Sequence, residues 1–240
     1  MRTQTSQIEH PRKAGGDPLT TTRTWELMRL FLVSYFRFLH FGRYRCVHNI
    51  PDKGPILLAP NHVSYYDPPI IAAGVPHVMH FMTWDVLCNL PVIGRFVRSW
   101  GSFPVKLRSA DKGAITQSLR ILRAGACLMI FPEGERSRDG NPGVFEPGAA
   151  RLILQTGGSV VPITITGAHE AWPRIRLFPR LFRPIVVKFH RPIAVEAAHG
   201  RDELRDAVPA LIEAIRRPIE RRHRAWLRLQ ERHRRGRRQR

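Results

Sequence analysis

Residues 55–69 of this 240-residue chain read PILLAPNHVSYYDPP, and their order predicts the class of fold. The apolar run Pro55–Ala59 is typical of a short buried strand. The Pro68-Pro69 pair fits the first turn of a helix, where a missing N–H group costs nothing. His62 and Asp67 therefore follow the carboxyl end of a strand, where α/β proteins place their sites. The stretch predicts an α/β domain with a functional loop at this point.

The rest of the chain alternates between strand and helix patterns. Further strands are predicted at Val78–Trp84, Gly101–Lys106, Cys127–Phe131, Val160–Thr166 and Ile185–His190. Helices are predicted from Asp111 to about Gly125, over Gly148–Thr156 and over residues 201–217, with Pro209 near the start of the last one. Because short helices alternate with strands, we expect a single α/β domain with a central mixed sheet flanked by helices.

Three other segments differ from this domain in composition. Residues 1–22 are polar and predict a disordered leader, residues 23–45 predict an amphipathic helix, and residues 216–240 form an Arg-rich C-terminal extension. The α/β domain itself is expected over residues 46–215, a length suited to one hydrophobic core. No run of 18 apolar residues occurs, so the sequence has no pattern of a conventional membrane-spanning helix.

The helix predicted over residues 24–41 has a wide apolar arc. At about 100° per residue, its main polar side chains fall within a stripe about 80° wide. That stripe contains Glu26, Arg29, Arg37 and His40. Such a helix is typical of the interface of a lipid bilayer, with its basic stripe outward. The alternative is a helix that packs on the protein's own core.

The chain carries a net charge of +20, which indicates an anionic partner. Residues 216–240 hold twelve arginines against two glutamates, and residues 171–184 mix aromatic side chains with four arginines. Nucleic acid and an acidic lipid surface both attract such segments. For the C-terminal extension, a solvated and partly helical segment is a third interpretation.

His62 and Asp67 are the first candidate functional residues. In a regular helix, residues five apart are rotated by about 140° and do not meet. The two side chains therefore form a hydrogen bond only if residues 63–66 make an irregular turn. In that geometry Asp67 would fix the imidazole tautomer and His62 would remove a proton from a hydroxyl. Because the chain has no Gly-x-Ser-x-Gly nucleophile motif, that hydroxyl would belong to the substrate.

A second candidate site lies in residues 131–137, FPEGERS, directly after a predicted strand. Pro132 and Gly134 would shape a loop, and Arg136 offers a planar guanidinium suited to phosphate or carboxylate. Taken alone, the stretch also fits a surface turn with a solvated arginine. The three cysteines are widely spaced and match no zinc-binding pattern, so neither a disulfide framework nor a metal site is expected.

Together these stretches resemble the glycerolipid acyltransferases, typified by 1-acylglycerol-3-phosphate acyltransferase. Asn61-His62 through Asp67 and the FPEGERS stretch look like two motif blocks of that family. Weaker similarities in the family's order are GSFPVKLR at residues 101–108, FEPGA at 145–149 and VVPITITG at 160–167. The resemblance covers residues 48–190. Several ordered blocks at plausible spacing are far more specific than any one of them.

The resemblance implies transfer of a fatty acyl group to the hydroxyl of a lysophospholipid. The donor would be an acyl-CoA or acyl-carrier-protein thioester, used as a substrate with no bound cofactor. The implied acceptor is 1-acylglycerol 3-phosphate, which would give phosphatidic acid. His62 would be the general base and Asp67 its partner. Glu133, Gly134 and Arg136 would shape the acceptor site, with Arg136 on the phosphate.

Two departures from the family's pattern concern the acceptor. The family's second block has an acidic residue immediately before its arginine, whereas Lys106 and an interposed Leu107 precede Arg108 here. Either Lys106 or Arg108 would therefore face the acceptor phosphate. Glu135 stands where the family has Thr or another small residue. A carboxylate there weakens phosphate binding unless it points away or the head group is cationic, so another lyso-lipid head group is an alternative acceptor.

The resemblance also sets the expected partners. These are the lysophospholipid and thioester substrates, an anionic membrane surface and, among donors, an acyl-carrier protein. Nucleic acid is the less favoured partner because the implied substrate is a lipid. The expected location is the cytoplasmic face of a membrane, as a peripheral or monotopic protein. The competing hypotheses are a catalytically degenerate basic module that binds anionic lipid or nucleic acid, and acyl transfer between phospholipids without a soluble thioester.

Overall fold

The apolar runs of the chain form the strands of a mixed sheet. The computed structural model describes residues 23–89, 91, 94, 101–105 and 111–238, and within them the sheet has eight strands. They are β1 Arg43–Arg45, β2 Ile56–Pro60, β3 Met79–Trp84, β4 Ser102–Val105, β5 Cys127–Met129, β6 Gly158–Thr166, β7 Val186–Phe189 and β8 Ile193–Val195. The order across the sheet is β1-β7-β6-β2-β5-β3-β4, and β8 pairs with the start of β6.

The middle of the sheet is parallel. Strand β2 lies between β5 and β6 and is parallel to both, and β3 is parallel to β4 and β5. The carboxyl ends of these strands therefore share one edge. Because the predicted catalytic pair follows β2 there, we call it the catalytic edge. Strands β7 and β8 run antiparallel to β6, which makes the sheet mixed.

Helices cover both faces of the sheet. They are α1 Arg23–His40, α2 Asp67–Gly74, α3 Asp85–Cys88, α4 Lys112–Arg123, α5 Gly148–Leu154, α6 Ala168–Ala171 and α7 Arg201–Arg238, with a 3₁₀ turn at Val47–Asn49. Successive side chains of a strand point to opposite faces. Thus Ile56 and Leu58 pack with α1 and α2, whereas Leu57 and Ala59 pack with α4, α5 and α7. The α/β class with a central mixed sheet flanked by helices is confirmed.

Local signals account for several helix boundaries. The side chain of Asp111 accepts hydrogen bonds from the backbone N–H groups of Gly113 and Ala114, and so caps α4 where a helix was predicted. Pro68 and Pro69 occupy the first turn of α2, as predicted. Strands β1 and β8 were not predicted, because each has only three residues and no alternating apolar pattern.

The last helix is longer than predicted. It runs without interruption from Arg201 to Arg238, so the expected end at residue 217 and the position of Pro209 near its start are wrong. Proline inside a helix costs about 3 kcal/mol. Here that cost is offset by a continuous apolar face on the sheet. That buried face contains Val208, Leu211, Ile215 and Ile219.

Helix α1 packs on the protein's own core, which was the alternative given for residues 24–41. Its inner face packs on α2 through the buried side chains of Trp25, Leu32 and Phe36. The expectation that His40 belongs to an outward polar stripe is wrong. His40 is fully buried, with one ring nitrogen 3.2 Å from the Tyr66 hydroxyl and the other 3.3 Å from the Arg183 carbonyl oxygen. Residues 1–22, the predicted leader, lie outside the described residues.

The outer face of α1 exposes several large apolar side chains. Five large side chains on α1 and just after it are more than half exposed: Leu27, Leu30, Phe31, Phe38 and Phe41. Among the described residues, no helix has both the length and the hydropathy needed to cross a bilayer.

Candidate active site

The loop from β2 to α2 is fixed at the catalytic edge by Asn61. Its side-chain N–H donates to the carbonyl oxygen of Ile165 at 3.1 Å, and its amide oxygen accepts from the N–H of Ile165 at 2.7 Å. This pair of bonds extends the β2–β6 pairing beyond the last strand residue, so His62 leaves the sheet in a defined direction. The sequence placed Asn61 within the motif but gave no sign of this bracing role.

His62 and Asp67 meet across an irregular turn. The Nδ1 atom of His62 lies 2.8 Å from Oδ2 of Asp67. The same oxygen accepts from the backbone N–H groups of Val63 at 2.6 Å and Ser64 at 2.7 Å. One fully buried carboxylate oxygen thus organises the turn and fixes the imidazole. With Nδ1 engaged, Nε2 is the ring nitrogen able to act on a substrate.

The imidazole plane is held from one side by an aromatic ring. Phe131 stacks on His62 with ring centroids 3.7 Å apart and planes inclined by 16°. The His62 side chain keeps 16% of its surface exposed. Phe131 was predicted only as the end of a strand, so its contact with His62 was missed.

Glu133 ties the same loop to a second one. Its Oε1 accepts from the backbone N–H of His62 at 2.9 Å, and its Oε2 accepts from the backbone N–H of Gly143 at 2.9 Å. The side chain is buried. Burial raises the pKa of the Glu133 carboxyl to about 7, although the two N–H groups act in the opposite direction. The carboxylate therefore braces the His62 backbone from inside the fold.

Gly134 gives this loop its shape. Its φ of +70° lies in the left-handed region that favours glycine. Its N–H donates to the carbonyl oxygen of Phe131 at 3.1 Å and closes the turn. The turn directs the chain back toward the β2–α2 loop, where the N–H of Ser137 donates to the carbonyl oxygen of His62 at 2.8 Å.

Arg136 lies beside the His62 loop. Its guanidinium carbon is 3.7 Å from the centroid of the Tyr65 ring, in the geometry of a cation–π contact. A neighbouring arginine, Arg174, donates to the carbonyl oxygen of Arg136 at 3.1 Å and lies 3.5 Å from a carboxylate oxygen of Glu135. Glu135, the departure from the family's pattern, is thus paired with a cation.

Arg174 was not among the predicted site residues. It belongs to residues 171–184, whose arginines suggested a surface contact and not a place beside the site. The adjacent Trp172 is attached to the same loop. Its carbonyl oxygen accepts from the Ser64 hydroxyl at 2.8 Å and from the Tyr65 N–H at 3.3 Å. The sequence could not show these contacts, since they join segments over a hundred residues apart.

The structure therefore brings together His62, Asp67, Glu133, Gly134 and Arg136. Lys106 and Arg108, the other predicted acceptor ligands, lie outside the described residues. Among the described residues, no group of three or more His, Cys, Asp or Glu side chains is arranged to hold a metal ion.

Fold and site together define an α/β domain with a hydrogen-bonded His–Asp pair and an arginine beside it, at the carboxyl ends of the parallel strands of a mixed sheet. Comparison with known families agrees with this class. The family model described as Acyltransferase matches residues 43–166, and the chain belongs to this family.

Two curated relatives have the same name. The chain is 29% identical over 124 residues to a 1-acyl-sn-glycerol-3-phosphate acyltransferase of Borreliella burgdorferi, a match that covers 51% of this chain and 50% of the relative. It is 29% identical over 186 residues to a protein of that name from Limnanthes douglasii, covering 70% of this chain and 64% of the relative. The chain thus spans less than two thirds of these relatives' lengths.

A solved structure has the same architecture. The 1-acyl-sn-glycerophosphate (LPA) acyltransferase PlsC from Thermotoga maritima superposes with a TM-score of 0.65 at 27% sequence identity. The match covers 82% of this chain and 78% of that one.

Proposed function

We propose that this chain is an O-acyltransferase that moves a fatty acyl group from an acyl-CoA or acyl-carrier-protein thioester to a lysophospholipid hydroxyl. The proposed acceptor is 1-acylglycerol 3-phosphate and the product is phosphatidic acid. The observation that carries the proposal is the 2.8 Å contact between His62 and Asp67 at the catalytic edge. The names of the relatives support the choice of acceptor.

The proposed reaction begins when Nε2 of His62 takes the proton of the acceptor hydroxyl. Asp67 stabilises the resulting imidazolium through Nδ1. The hydroxyl oxygen attacks the thioester carbonyl, the C–S bond breaks, and the thiolate leaves with the proton held by His62. Both substrates must be bound together, which agrees with the absence of a serine nucleophile motif from the sequence. No cofactor enters this scheme.

The acceptor phosphate is proposed to bind Arg136, whose guanidinium lies over Tyr65 in the His62 loop. Arg174 is proposed as a second contact because it neighbours Arg136 and pairs with Glu135. That pairing reduces the repulsion that Glu135 would exert on a phosphate. Lys106 and Arg108 are proposed as further ligands of the same phosphate, on the resemblance alone. Glu133 and Gly134 would act indirectly, by holding the two loops in place.

The protein is proposed to act as a peripheral protein at the cytoplasmic face of a membrane. The outer face of α1 offers Leu27, Phe31 and Phe38, which are 65% to 73% exposed. Exposed apolar patches of this kind mark interaction sites. The segment 171–184 lies next to the end of α1, since the Phe182 N–H donates to the carbonyl oxygen of Leu39 at 2.7 Å. Both would lie in the interface of the bilayer that supplies the acceptor.

An acylation assay tests the proposal. The purified full chain is incubated with 1-acylglycerol 3-phosphate and each type of acyl thioester, and the products are identified by mass spectrometry. His62→Ala is expected to lower the rate by about 10²- to 10⁴-fold, the range of general base catalysis. His199→Ala is the matched control, because His199 is exposed and lies far from the site in the first turn before α7.

Two results would reject the assignment: phosphatidic acid formation at the wild-type rate in His62→Ala, or no acylation of any lyso-lipid by the wild-type chain. A reaction without thioester identifies transfer between phospholipids. If product forms equally well when the thioester is omitted, the proposed donor is wrong while the acceptor stands.

A further inference from the structure

The last helix carries an aligned row of arginines. At about 100° per residue, six exposed arginines of α7 fall within an arc about 80° wide. They are Arg217, Arg221, Arg224, Arg228, Arg232 and Arg235. We call this row the arginine stripe. At about 1.5 Å per residue it is about 27 Å long.

Helix α7 reaches the catalytic edge and extends past it. Its first half covers the sheet, and its second half meets the loops of the site. His223 lies 3.1 Å from the amide oxygen of Asn141. Trp226 and Leu227 line a small cavity together with Val63, the residue next to His62. The helix continues to Arg238, so about 16 Å of it lies beyond these contacts.

Hydrogen bonds fix the helix relative to the site. The amide of Asn141 donates to one carboxylate oxygen of Asp139 at 2.7 Å, and the hydroxyl of Ser137 donates to the other at 3.0 Å. The N–H of Ser137 in turn donates to the carbonyl oxygen of His62 at 2.8 Å. A continuous set of contacts therefore joins His223 to His62, and the end of α7 has a defined direction relative to the catalytic edge.

The charge of the stripe increases toward its end. Arg217 is paired with Glu213 at 2.9 Å, and Arg224 with Glu220 at 3.4 Å. From residue 228 onward, the chain has Glu231 as its single acidic residue. Leu227 and Leu229 lie about 60° to either side of the stripe and are 37% and 48% exposed. The projecting end thus combines cations with apolar flanks, a pattern typical of helices at anionic bilayer surfaces.

We propose that the arginine stripe beyond residue 227 binds the surface of an anionic phospholipid bilayer and holds the catalytic edge against it. Phosphate groups of lipids and of nucleic acids would both attract the stripe. The choice of lipid rests on the proposed function, because the acceptor is a lipid that must enter at this edge. The exposed side chains of Ile175 and Phe178, which follow β6 at the same edge, agree with that choice.

Vesicle co-sedimentation of the full chain tests the proposal. Binding is measured without substrates, on phosphatidylcholine vesicles and on vesicles of equimolar phosphatidylcholine and phosphatidylglycerol. The test variant is Arg228→Gln/Arg232→Gln/Arg235→Gln. The control variant is Arg120→Gln/Arg123→Gln/Arg201→Gln, which removes the same charge from exposed positions at the opposite edge of the sheet.

The test variant is expected to bind anionic vesicles on the order of a hundredfold more weakly, since each basic residue near such a surface strengthens binding about fivefold. The control variant is expected to lose less than about tenfold through the weaker general attraction of a smaller net charge. The variant Arg228→Lys/Arg232→Lys/Arg235→Lys should bind as the wild type does, because charge is retained. This comparison also excludes loss of the helix as the cause.

Equal losses in the test and control variants would overturn the proposal, as would wild-type binding by the test variant. Loss of binding to a single-stranded RNA with unchanged binding to anionic vesicles would assign the stripe to nucleic acid instead. Acylation of a short-chain, water-soluble acceptor should be unchanged in the test variant. If the proposed function fails, the wild type shows no acylation at all, whereas failure of this inference appears only in the vesicle data.

Discussion

Asp67→Asn separates the two roles that the Asp67 carboxylate performs. One oxygen, Oδ2, accepts all three hydrogen bonds, from His62 Nδ1 and from the N–H groups of Val63 and Ser64. An asparagine can place its amide oxygen at the Oδ2 position and keep all three bonds. The turn, the imidazole tautomer and the direction of Nε2 are then preserved. The change removes the negative charge and puts an NH2 group in place of Oδ1, which is buried and has no hydrogen-bond partner among the described residues.

The expected loss of kcat in Asp67→Asn follows from the loss of that negative charge. In the proposed reaction His62 becomes an imidazolium whose Nδ1 lies 2.8 Å from the carboxylate. For charge centres about 4 Å apart at an effective dielectric constant of about 20, the attraction is about 4 kcal/mol. A rise of about 1.4 kcal/mol in the activation free energy lowers the rate tenfold. We therefore expect kcat to fall about 10²- to 10³-fold, with the KM for the acceptor nearly unchanged because Asp67 touches neither proposed substrate.

The measurement combines steady-state kinetics with thermal unfolding. Asp67→Asn is expected to unfold within a few degrees of the wild type. Asp67→Ala is expected to be destabilised by about 2–5 kcal/mol, because two buried N–H groups lose their acceptor. A kcat of Asp67→Asn within about threefold of the wild type would refute the charge argument, since differences that small correspond to less than 1 kcal/mol.

Three further predictions concern the supports of the site. Phe131→Ala removes the ring stacked on His62 and is expected to lower kcat by about tenfold, the equivalent of 1.4 kcal/mol; unchanged kinetics would show that the stacking does not position the imidazole. Asn61→Ala leaves the buried N–H and carbonyl groups of Ile165 unpaired and should lower the free energy of unfolding by about 2–4 kcal/mol in a urea titration; a loss below about 1 kcal/mol would contradict the bracing role. Burial raises the pKa of Glu133 from 4.5 to about 7, so the folded protein holds a proton that the unfolded chain releases. The free energy of unfolding of the wild type should therefore fall by about 3 kcal/mol relative to that of Glu133→Gln as the pH rises from 4.5 to 7. Urea titrations of both proteins across that range should show this difference, which cancels the opposite change that the lowered pKa of buried His190 causes in both; parallel slopes would argue against it.

The sequence predicts the position and the irregular turn of the loop from His62 to Asp67. The strand before His62 and the Pro68-Pro69 pair after it limit the loop to a few residues at a known edge of the sheet. Helix geometry then excludes a regular turn between His62 and Asp67. The remaining possibility, a turn in which the side chains meet, is the one that forms. These predictions rest on residues that are close together in the sequence, and such local patterns can be recognised in a single sequence.

Local signals do not define the orientation of α1 on the domain. Its sequence is apolar over most of the circumference, so periodicity defines a polar stripe without defining which face is inward. The inward face is set by contact with α2, and that contact buries His40 against Tyr66. Burial also lowers the pKa of His40, which favours the neutral ring in this position. His40 therefore lies in the core beside Tyr66, although the periodicity of the sequence placed it on the polar face of the helix.

In helix α7, by contrast, local signals are present but predict the wrong structure. Pro209 and Pro218 are strong local signals against a continuous helix, yet both lie inside it. The apolar face of α7 from Val208 to Ile219 is buried on the sheet in one stretch that spans both positions. Burial of such side chains contributes about 1.5–3 kcal/mol each, so the four on this face offset a cost of about 3 kcal/mol at each of the two prolines. Tertiary packing here overrides the local preference.

Three hydrogen bonds that support the site could not be predicted from the sequence, for one shared reason. Glu133 accepts from the backbone N–H of His62, Arg174 donates to the backbone carbonyl of Arg136, and Ser64 donates to that of Trp172. In each pair, one partner is a side chain and the other is a main-chain group that nearly every residue type provides. The sequence therefore identifies the side chain that makes the bond but not the position that receives it. Only the fold specifies that position, which is why the contact between His62 and Asp67 was predictable while the contacts that hold this pair in place were not.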